Sequence, residues 1–103
     1  MNNIEPRNDK GERDGYWEVY YINGQLDYKG NYVDGKIHGY WETYYLNGQL
    51  ESKGNYVNRK KHGYWEVYNS DGDLEYQGYY DMYKKVDYEV NVYTSPKEMF
   101  PIF

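Results

Sequence analysis

The sequence predicts an all-β protein, a single-layer antiparallel meander of repeated β-hairpins, and three observations support this prediction. A Gly-Tyr-Trp triplet begins at Gly15, Gly39 and Gly63, which is a spacing of 24 residues each time. An Asn-Gly or Asp-Gly pair follows each triplet at a constant distance, and such pairs favour the tight turn of a hairpin. Apolar and polar residues alternate between these landmarks with the period of a half-buried strand. A period held at several positions indicates a repeat architecture.

The turn sequence sets the register of each hairpin. With Asn23-Gly24 at the centre of a two-residue turn, Trp17 falls opposite Gly30 and Tyr21 falls opposite Leu26. All of these residues then share one apolar face, while the residues between them form a polar face. The second and third units repeat the arrangement.

Two features of this register carry structural predictions. The glycine opposite each tryptophan, for example Gly54 opposite Trp41, is expected to leave room for the indole ring on the neighbouring strand.

On the polar face, Glu18 is expected to pair across the strands with Lys29. In the second unit, Glu42 is expected to pair in the same way with Lys53.

A second kind of turn joins one hairpin to the next. Asp34-Gly35 at its centre places Tyr28 opposite Trp41 and keeps the apolar face on the same side of the sheet. Later copies, Asn58-Arg59 and Met82-Tyr83, lack the glycine, so the sheet is expected to be less regular towards its end.

The repeats divide the chain into three parts. Residues 1–14 form an N-terminal arm and a partial repeat, with the first eight residues expected to be disordered or loosely docked. Residues 15–80 contain three full hairpin units. Residues 81–103 are predicted to form a capping strand, as the ends of repeat proteins require, followed by an apolar tail. That tail either folds back on the apolar face or docks on a partner.

The repeated pattern Gly-Tyr-Trp-Glu-x-Tyr-Tyr-x-Asn-Gly-x-Leu-x-x-x-Gly-x-Tyr resembles the MORN repeat. It is most similar to the variant found in bacterial YwqK-type antitoxin proteins. The resemblance covers roughly residues 15–80. It implies an elongated, twisted single sheet that contacts proteins or lipids, and in the antitoxin variants it implies neutralisation of a partner protein by binding.

Composition narrows the range of partners. The formal net charge is −5, which disfavours nucleic acid and anionic membrane surfaces. The chain has no cysteine, its N-terminus lacks the apolar core of a secretory signal, and no apolar run is long enough to cross a membrane. We therefore expect a cytoplasmic protein that binds neither nucleic acid nor membrane.

Nothing in the sequence indicates catalysis. Glu18, Glu42 and Glu66 form a row of carboxylates, but they are copies of one position, whereas an acid–base pair needs unlike environments. His38 and His62 lack the additional ligands of a metal site and are interpreted as solvated loop residues. No cofactor motif is present. We expect no enzyme activity, no cofactor and no bound metal.

The leading functional hypothesis is a protein–protein interaction module, an antitoxin-like inhibitor that neutralises a toxin, nuclease or defence protein by stoichiometric binding. Tyrosine and tryptophan are enriched at interface hot spots, and the chain contains 17 Tyr and 3 Trp. The apolar face is predicted to bind, with Thr43 and Ser52 leaving a shallow depression at its centre. The candidate partner-binding residues are Trp17, Tyr21, Tyr28, Trp41, Tyr45, Trp65 and Tyr76.

Three alternatives remain open at this level. The protein could be a phage-encoded inhibitor of a host defence protein. It could bind sugars or choline through its aromatic rows. It could also be a structural repeat that forms homo-oligomers through open strand edges.

Overall fold

A computed structural model of the protein describes residues 2–80, and these residues form one antiparallel sheet whose six strands lie in chain order. The strands are β1 (Gly15–Tyr20), β2 (Leu26–Val33), β3 (Lys36–Tyr44), β4 (Leu50–Val57), β5 (Lys60–Tyr68) and β6 (Leu74–Tyr80). The smallest dimension is 12 Å, which is the thickness of one sheet with its side chains. The predicted all-β meander is confirmed.

The register predicted for the body of each hairpin is also confirmed. In the first hairpin Trp17 pairs with Gly30 and Glu18 pairs with Lys29. In the second, Trp41 pairs with Gly54. Alternation along the strands therefore separates the side chains into two faces, as the sequence pattern requires.

The turns of the hairpins differ from the prediction. The amide of Gly24 donates to the carbonyl of Tyr21 at 2.9 Å, and the amide of Tyr21 donates to the carbonyl of Gln25 at 2.8 Å. Gly24 has a positive φ of 92°, while Asn23 does not. The turn is thus a three-residue loop closed by a glycine bulge, not the two-residue turn that we expected.

This bulge changes the pairing beside the turn. Tyr20, not Tyr21, is the partner of Leu26, and in the second hairpin Tyr44 is the partner of Leu50. The predicted pairing of Tyr21 with Leu26 is wrong because the three-residue loop moves the register by one position. Asp27, which has no partner between Leu26 and Tyr28, restores the predicted register beyond it.

The turns between hairpins are of the two-residue type. Both central residues of the Asp34-Gly35 turn have positive φ, 48° at the aspartate. Asn58-Arg59 adopts the same conformation without a glycine, with φ of 54° and 68°. The expected loss of regularity at Asn58-Arg59 is therefore wrong, and the Met82-Tyr83 copy lies outside the described residues.

A second bulge lies between β2 and β3. Asn31 pairs with His38, but the preceding Gly30 pairs with Trp41, so two residues of β3 are left between these positions. Gly39 sits in that gap with φ of 77°, a conformation that glycine adopts without strain. The bulge makes the predicted pairing of Tyr28 with Trp41 wrong; Tyr28 pairs with Thr43.

The tryptophans form the core, and the bulge decides which glycine each of them covers. A Cβ added to Gly30 would lie 2.2 Å from the ring of Trp41, and a Cβ added to Gly54 would lie 2.2 Å from the ring of Trp65. Each glycine therefore accommodates the indole of the following hairpin, not that of its own. The expectation that Gly54 makes room for Trp41 is therefore wrong, because Gly54 makes room for Trp65.

The N-terminal arm docks on β1. Ile4 exchanges two backbone hydrogen bonds with Glu18, at 2.9 and 3.0 Å, and the Trp17 Nε1–H donates to the carbonyl of Pro6 at 2.9 Å. The prediction of a disordered or loosely docked arm is wrong, because the arm pairs with the exposed edge of β1 and caps it. The predicted C-terminal capping strand and apolar tail lie outside the described residues.

Candidate functional site

Three copies of a Tyr-x-Glu-x-Tyr triad lie side by side on one face of the sheet. Residues two apart on a strand point to the same side, so the three side chains of each triad are neighbours. In every copy both tyrosine hydroxyls donate to the central carboxylate. The donors and distances are Tyr16 2.6 Å and Tyr20 2.6 Å to Glu18, Tyr40 2.7 Å and Tyr44 2.5 Å to Glu42, and Tyr64 2.7 Å and Tyr68 2.5 Å to Glu66. We call this surface the tyrosine–glutamate face; it also contains Lys29, Lys53 and Tyr79.

One tyrosine of each triad remains substantially exposed although its hydroxyl is anchored. The exposed fractions are 40% for Tyr16, 46% for Tyr40 and 39% for Tyr64, and Tyr79 beside the last triad is 62% exposed. The face therefore presents a row of aromatic rings whose orientation is fixed by hydrogen bonds. Such rings can enter an interface with little further loss of rotamer freedom.

The hydrogen bonds keep the glutamates ionised. Donation from Tyr16 and Tyr20 lowers the pKa of Glu18, and donation from Tyr68 and Tyr64 lowers the pKa of Glu66. Burial alone would raise the pKa of Glu42, but the bonds from Tyr44 and Tyr40 outweigh it and the net change is downward. All three triads thus carry a fixed negative charge.

The same contacts hold the tyrosines neutral. Burial and the bond to Glu42 raise the pKa of Tyr44 to about 12, and the bond to Glu66 with burial raises the pKa of Tyr64 to about 12. Burial, with the bond to Glu18 next, raises the pKa of Tyr16 as well. Loss of a phenolic proton beside a carboxylate would place two negative charges together.

The lysines on this face pair differently from the prediction. Lys29 Nζ lies 3.5 Å from Glu42 Oε1, and Lys53 Nζ lies 3.4 Å from Glu66 Oε1. Each lysine therefore forms its ion pair with the glutamate of the next hairpin. The expected Glu18–Lys29 side-chain pair is wrong, although the two residues are partners in the strand register.

The opposite side of the sheet, which we call the tryptophan face, holds most of the residues predicted to bind a partner. Trp17, Trp41 and Trp65 are only 2%, 5% and 2% exposed. Tyr28 stacks on Trp41 with the ring centroids 5.4 Å apart, and Tyr76 pairs with Val67 on this side of the last hairpin. The structure gives the indoles a packing role, and partner binding by these residues stays a prediction.

Cations also contact the tryptophan face. The guanidinium groups of Arg7 and Arg13 each lie 5.4 Å from the ring of Trp17, and Lys61 Nζ lies 4.8 Å from that of Trp65. Burial lowers the pKa of Lys61. The cations of the tryptophan face thus lie on aromatic rings, whereas those of the tyrosine–glutamate face lie on carboxylates.

The remaining predicted site residues, Tyr21 and Tyr45, connect successive hairpin turns. The Tyr21 hydroxyl donates to the carbonyl of Tyr44 at 2.6 Å, and the Tyr45 hydroxyl donates to that of Tyr68 at 2.7 Å. Because each bond spans two adjacent hairpins, these tyrosines align the turns along the sheet.

The centre of the tryptophan face is polar at one point. The side-chain oxygens of Thr43 and Ser52 form a hydrogen bond of 2.7 Å to each other. The two residues lie opposite each other on this face, and the predicted shallow depression there stays a prediction. The tail that was expected to dock over them lies outside the described residues.

The two histidines lie in strands of the sheet. His38 and His62 lie in β3 and β5, not in loops as expected, where they pair with Asn31 and Asn55. No group of three or more His, Asp or Glu side chains in this part of the chain is arranged to hold a metal ion. None of the described segments is a helix long and apolar enough to cross a lipid bilayer.

The exposed tyrosines of the tyrosine–glutamate face were not among the predicted site residues. Tyr16 was expected on the polar, solvated side of the sheet, although the spacing Tyr-x-Glu-x-Tyr recurs in every unit. Side chains two apart on a strand are neighbours, so this spacing was the signal that could have revealed the triads.

Comparison with known proteins identifies the repeat. A family model described as "MORN repeat variant" matches residues 13–34, 37–58 and 61–82, which together exceed half of the chain. Each matched segment contains one hairpin and one triad. No curated protein matches the chain.

Proposed function

Because the chain belongs to the MORN repeat variant family, whose repeats suggest a binding module, we propose that it neutralises a partner protein by stoichiometric binding, in the manner of an antitoxin. The contact surface in this proposal is the tyrosine–glutamate face. The observation that carries it is the row of Tyr16, Tyr40 and Tyr64, each about two-fifths exposed and each anchored on a carboxylate.

An aromatic row of this kind suits protein recognition. Tyrosine is enriched at interface hot spots because its ring contributes apolar contact area while its hydroxyl remains hydrogen-bonded. The rings recur once per hairpin, so a partner spanning several hairpins would meet several anchors at once. The tryptophan face, in contrast, has its largest rings buried.

The electrostatics favour binding over turnover. A general acid requires a carboxyl group whose pKa is raised, but the pKa values of Glu18, Glu42 and Glu66 are all lowered. In each triad the carboxylate also accepts the same two tyrosine hydroxyls, as expected for copies of one repeat position rather than for an acid–base pair.

Affinity capture from the source cells tests the proposal. The wild-type chain should recover one protein in a fixed molar ratio, measured by size-exclusion chromatography with light scattering. The triple variant Tyr16→Ala, Tyr40→Ala, Tyr64→Ala should lose that protein. If the partner is toxic when expressed alone, co-expression of the wild-type chain should restore growth and co-expression of the triple variant should not.

A matched control removes apolar side chains of another exposed region. Ile22 and Leu46 project from hairpin turns and are 103% and 55% exposed. The double variant Ile22→Ala, Leu46→Ala should retain the partner. Loss of the partner in this control but not in the triple variant, with both variants folded by circular dichroism, would contradict the proposal.

A further inference from the structure

The first triad of the tyrosine–glutamate face differs from the other two in lacking a paired cation. Across the strands from Glu42 lies Lys29, and across from Glu66 lies Lys53, and both lysines form ion pairs with those glutamates. The equivalent partner of Glu18 in the N-terminal arm is Ile4. The first triad therefore has an isoleucine where the other two have a lysine.

No lysine or arginine within residues 2–80 forms a close ion pair with Glu18. Lys29 pairs with Glu18 in the strand register, but its ammonium group lies on Glu42 at 3.5 Å. Within residues 2–80 the ion pairs closer than 4.0 Å are those of Lys29 and Lys53, and neither involves Glu18. The Glu18 carboxylate thus lacks the direct ion pair that Glu42 and Glu66 form, and the charge of Lys29 acts on it only from a longer distance.

The surroundings of Glu18 define what could approach it. Tyr16 is 40% exposed and Ile4 is 45% exposed, so a ring and an aliphatic side chain flank the carboxylate on the open face. Each carboxylate oxygen accepts one tyrosine hydroxyl, which leaves further lone pairs for another donor. The site offers a fixed anion between two apolar surfaces.

We propose that the triad of Tyr16, Glu18 and Tyr20 binds an arginine side chain of the partner protein. This rests on the proposed function and specifies the chemistry of the partner, namely a basic surface that places a guanidinium group at the β1 end of the sheet. Charge complementarity assigns the cation, since the chain's own lysines occupy the equivalent positions of the other two triads. The flanking ring and carboxylate assign arginine, because a planar guanidinium group stacks on an aromatic ring and donates to both oxygens.

The inference can be tested without knowing the partner, by titrating the ¹⁵N-labelled chain with capped tripeptides in NMR experiments. The probes are acetyl-Gly-Arg-Gly-amide and its lysine and citrulline analogues. The arginine peptide should shift the amide signals of Tyr16, Glu18 and Tyr20 more than those of the second and third triads. The neutral citrulline peptide should shift none of them. Equal affinity for the arginine and lysine peptides would overturn the assignment of a guanidinium group.

Two variants and a control locate the contact. Ile4→Lys supplies the internal cation that the first triad lacks and should weaken arginine-peptide binding about fivefold, the upper range for an exposed ion pair. Glu18→Gln should weaken it by a similar factor. Ile4→Val retains an apolar residue and should bind like the wild type. If Ile4→Lys and Glu18→Gln both fold and both bind the arginine peptide unchanged, the inference is wrong.

The partner, once captured, separates this inference from the proposed function. Loss of affinity for that partner in Ile4→Lys, but not in Ile4→Val, supports both. A partner that depends on Tyr40 and Tyr64 but binds Ile4→Lys normally retains the proposed function and overturns the arginine site. Selective binding of the arginine peptide with no stoichiometric partner retains the site and overturns the proposed function.

Discussion

The tryptophan face and the tyrosine–glutamate face are made by the same strands but use their aromatic residues in opposite ways. On the first, the rings of Trp41 and Trp65 lie against glycine backbone and leave almost no exposed area. On the second, the rings of Tyr40 and Tyr64 stand on the sheet with about two-fifths of their surface exposed. A sheet one layer thick can therefore build its core on one side and keep an ordered aromatic surface on the other.

The difference arises from adjacent residues in the chain. Trp41 and Glu42 are neighbours, so one strand position contributes the indole of the core and the next contributes the carboxylate that orients the tyrosines. Burial stabilises the tryptophan face through apolar area, whereas hydrogen bonds to a charge order the tyrosine–glutamate face. Perturbing each face should consequently have different effects on stability and binding.

The largest effect on stability is expected from Gly54→Ala. The new Cβ would lie 2.2 Å from the ring of Trp65, which cannot move without leaving its place in the core. We expect a loss of about 1–3 kcal/mol or more, as for other overpacked cores, measured by urea denaturation. Ser52→Ala on the same strand is the control and should cost less.

NMR of the indole N–H groups identifies which ring is displaced. Trp65 Nε1–H donates to the carbonyl of Asn55, and Trp41 Nε1–H donates to that of Asn31. Gly54→Ala should shift the Trp65 signal more than the Trp41 signal. The reverse result would favour the pairing expected from sequence, in which Gly54 accommodates Trp41.

The next effect is a loss of stability in alkali caused by the tyrosines. In the folded chain the pKa values of Tyr44 and Tyr64 are raised to about 12 from 10.0. Between pH 10 and 12 the unfolded chain therefore releases protons that the folded chain retains, and the free energy of unfolding falls as pH rises. Urea midpoints at pH 8 and pH 11 should show this fall, and it should be smaller in Tyr44→Phe, Tyr64→Phe.

The glutamates are expected to make the free energy of unfolding fall as the pH is lowered into the acid range. Their pKa values are lowered in the folded chain, so they contribute stability above the unfolded value of 4.5 that is lost as pH falls through the folded values. Midpoints measured at pH 6 and pH 3 should differ less in the Glu42→Gln, Glu66→Gln variant. An unchanged difference would mean that the triads do not govern acid stability.

A smaller effect is expected from one hydroxyl of a triad. Tyr44→Phe removes a 2.5 Å hydrogen bond to Glu42 but retains the ring. We expect a loss of about 1 kcal/mol in thermal or urea unfolding. Tyr79→Phe, at a tyrosine that is 62% exposed, is the control and should change stability little. Equal effects of the two substitutions would show that the carboxylate bond adds nothing.

The smallest effect is expected from the lysines. Lys53 is 40% exposed in its side chain and pairs with Glu66 at 3.4 Å, so Lys53→Met should cost less than about 1 kcal/mol. Added salt should reduce the difference further. A loss larger than that of Tyr44→Phe would mean that ion pairs, not tyrosine hydrogen bonds, order this face.

The repeat period and the alternation of residues were sufficient to predict the sheet, its strand order and the central register of each hairpin. The bulges were not predictable from pairing arithmetic, because a glycine at position 24 or 39 can either occupy a two-residue turn or insert an extra residue. The bulge at Gly39 accompanies the contact of Trp41 with Gly30, and that contact is tertiary. The wrong pairings predicted for Tyr21 and Tyr28 follow from the bulges. The wrong ion pair predicted for Lys29 follows from the orientation of its side chain, which points to Glu42.

Only part of the candidate site was predicted from the sequence, for a related reason. The sequence places tryptophans on one face, and the enrichment of Trp and Tyr at interface hot spots suggested a binding surface there. A one-layer sheet needs those rings as its core, however, and Trp17, Trp41 and Trp65 are 5% exposed or less. Which aromatic residues remain available to a partner depends on burial, which the alternation pattern alone does not distinguish.

Hydroxyl-radical footprinting of the captured complex tests the central claim, that the tyrosine–glutamate face binds the partner, most directly. In the free chain the exposed rings of Tyr16, Tyr40 and Tyr64 should be oxidised, as should Ile22 and Leu46 at the turns. Binding of the partner should protect the three tyrosines and leave the two turn residues as reactive as before. Protection of Ile22 and Leu46 with unchanged oxidation of the tyrosines would contradict the account.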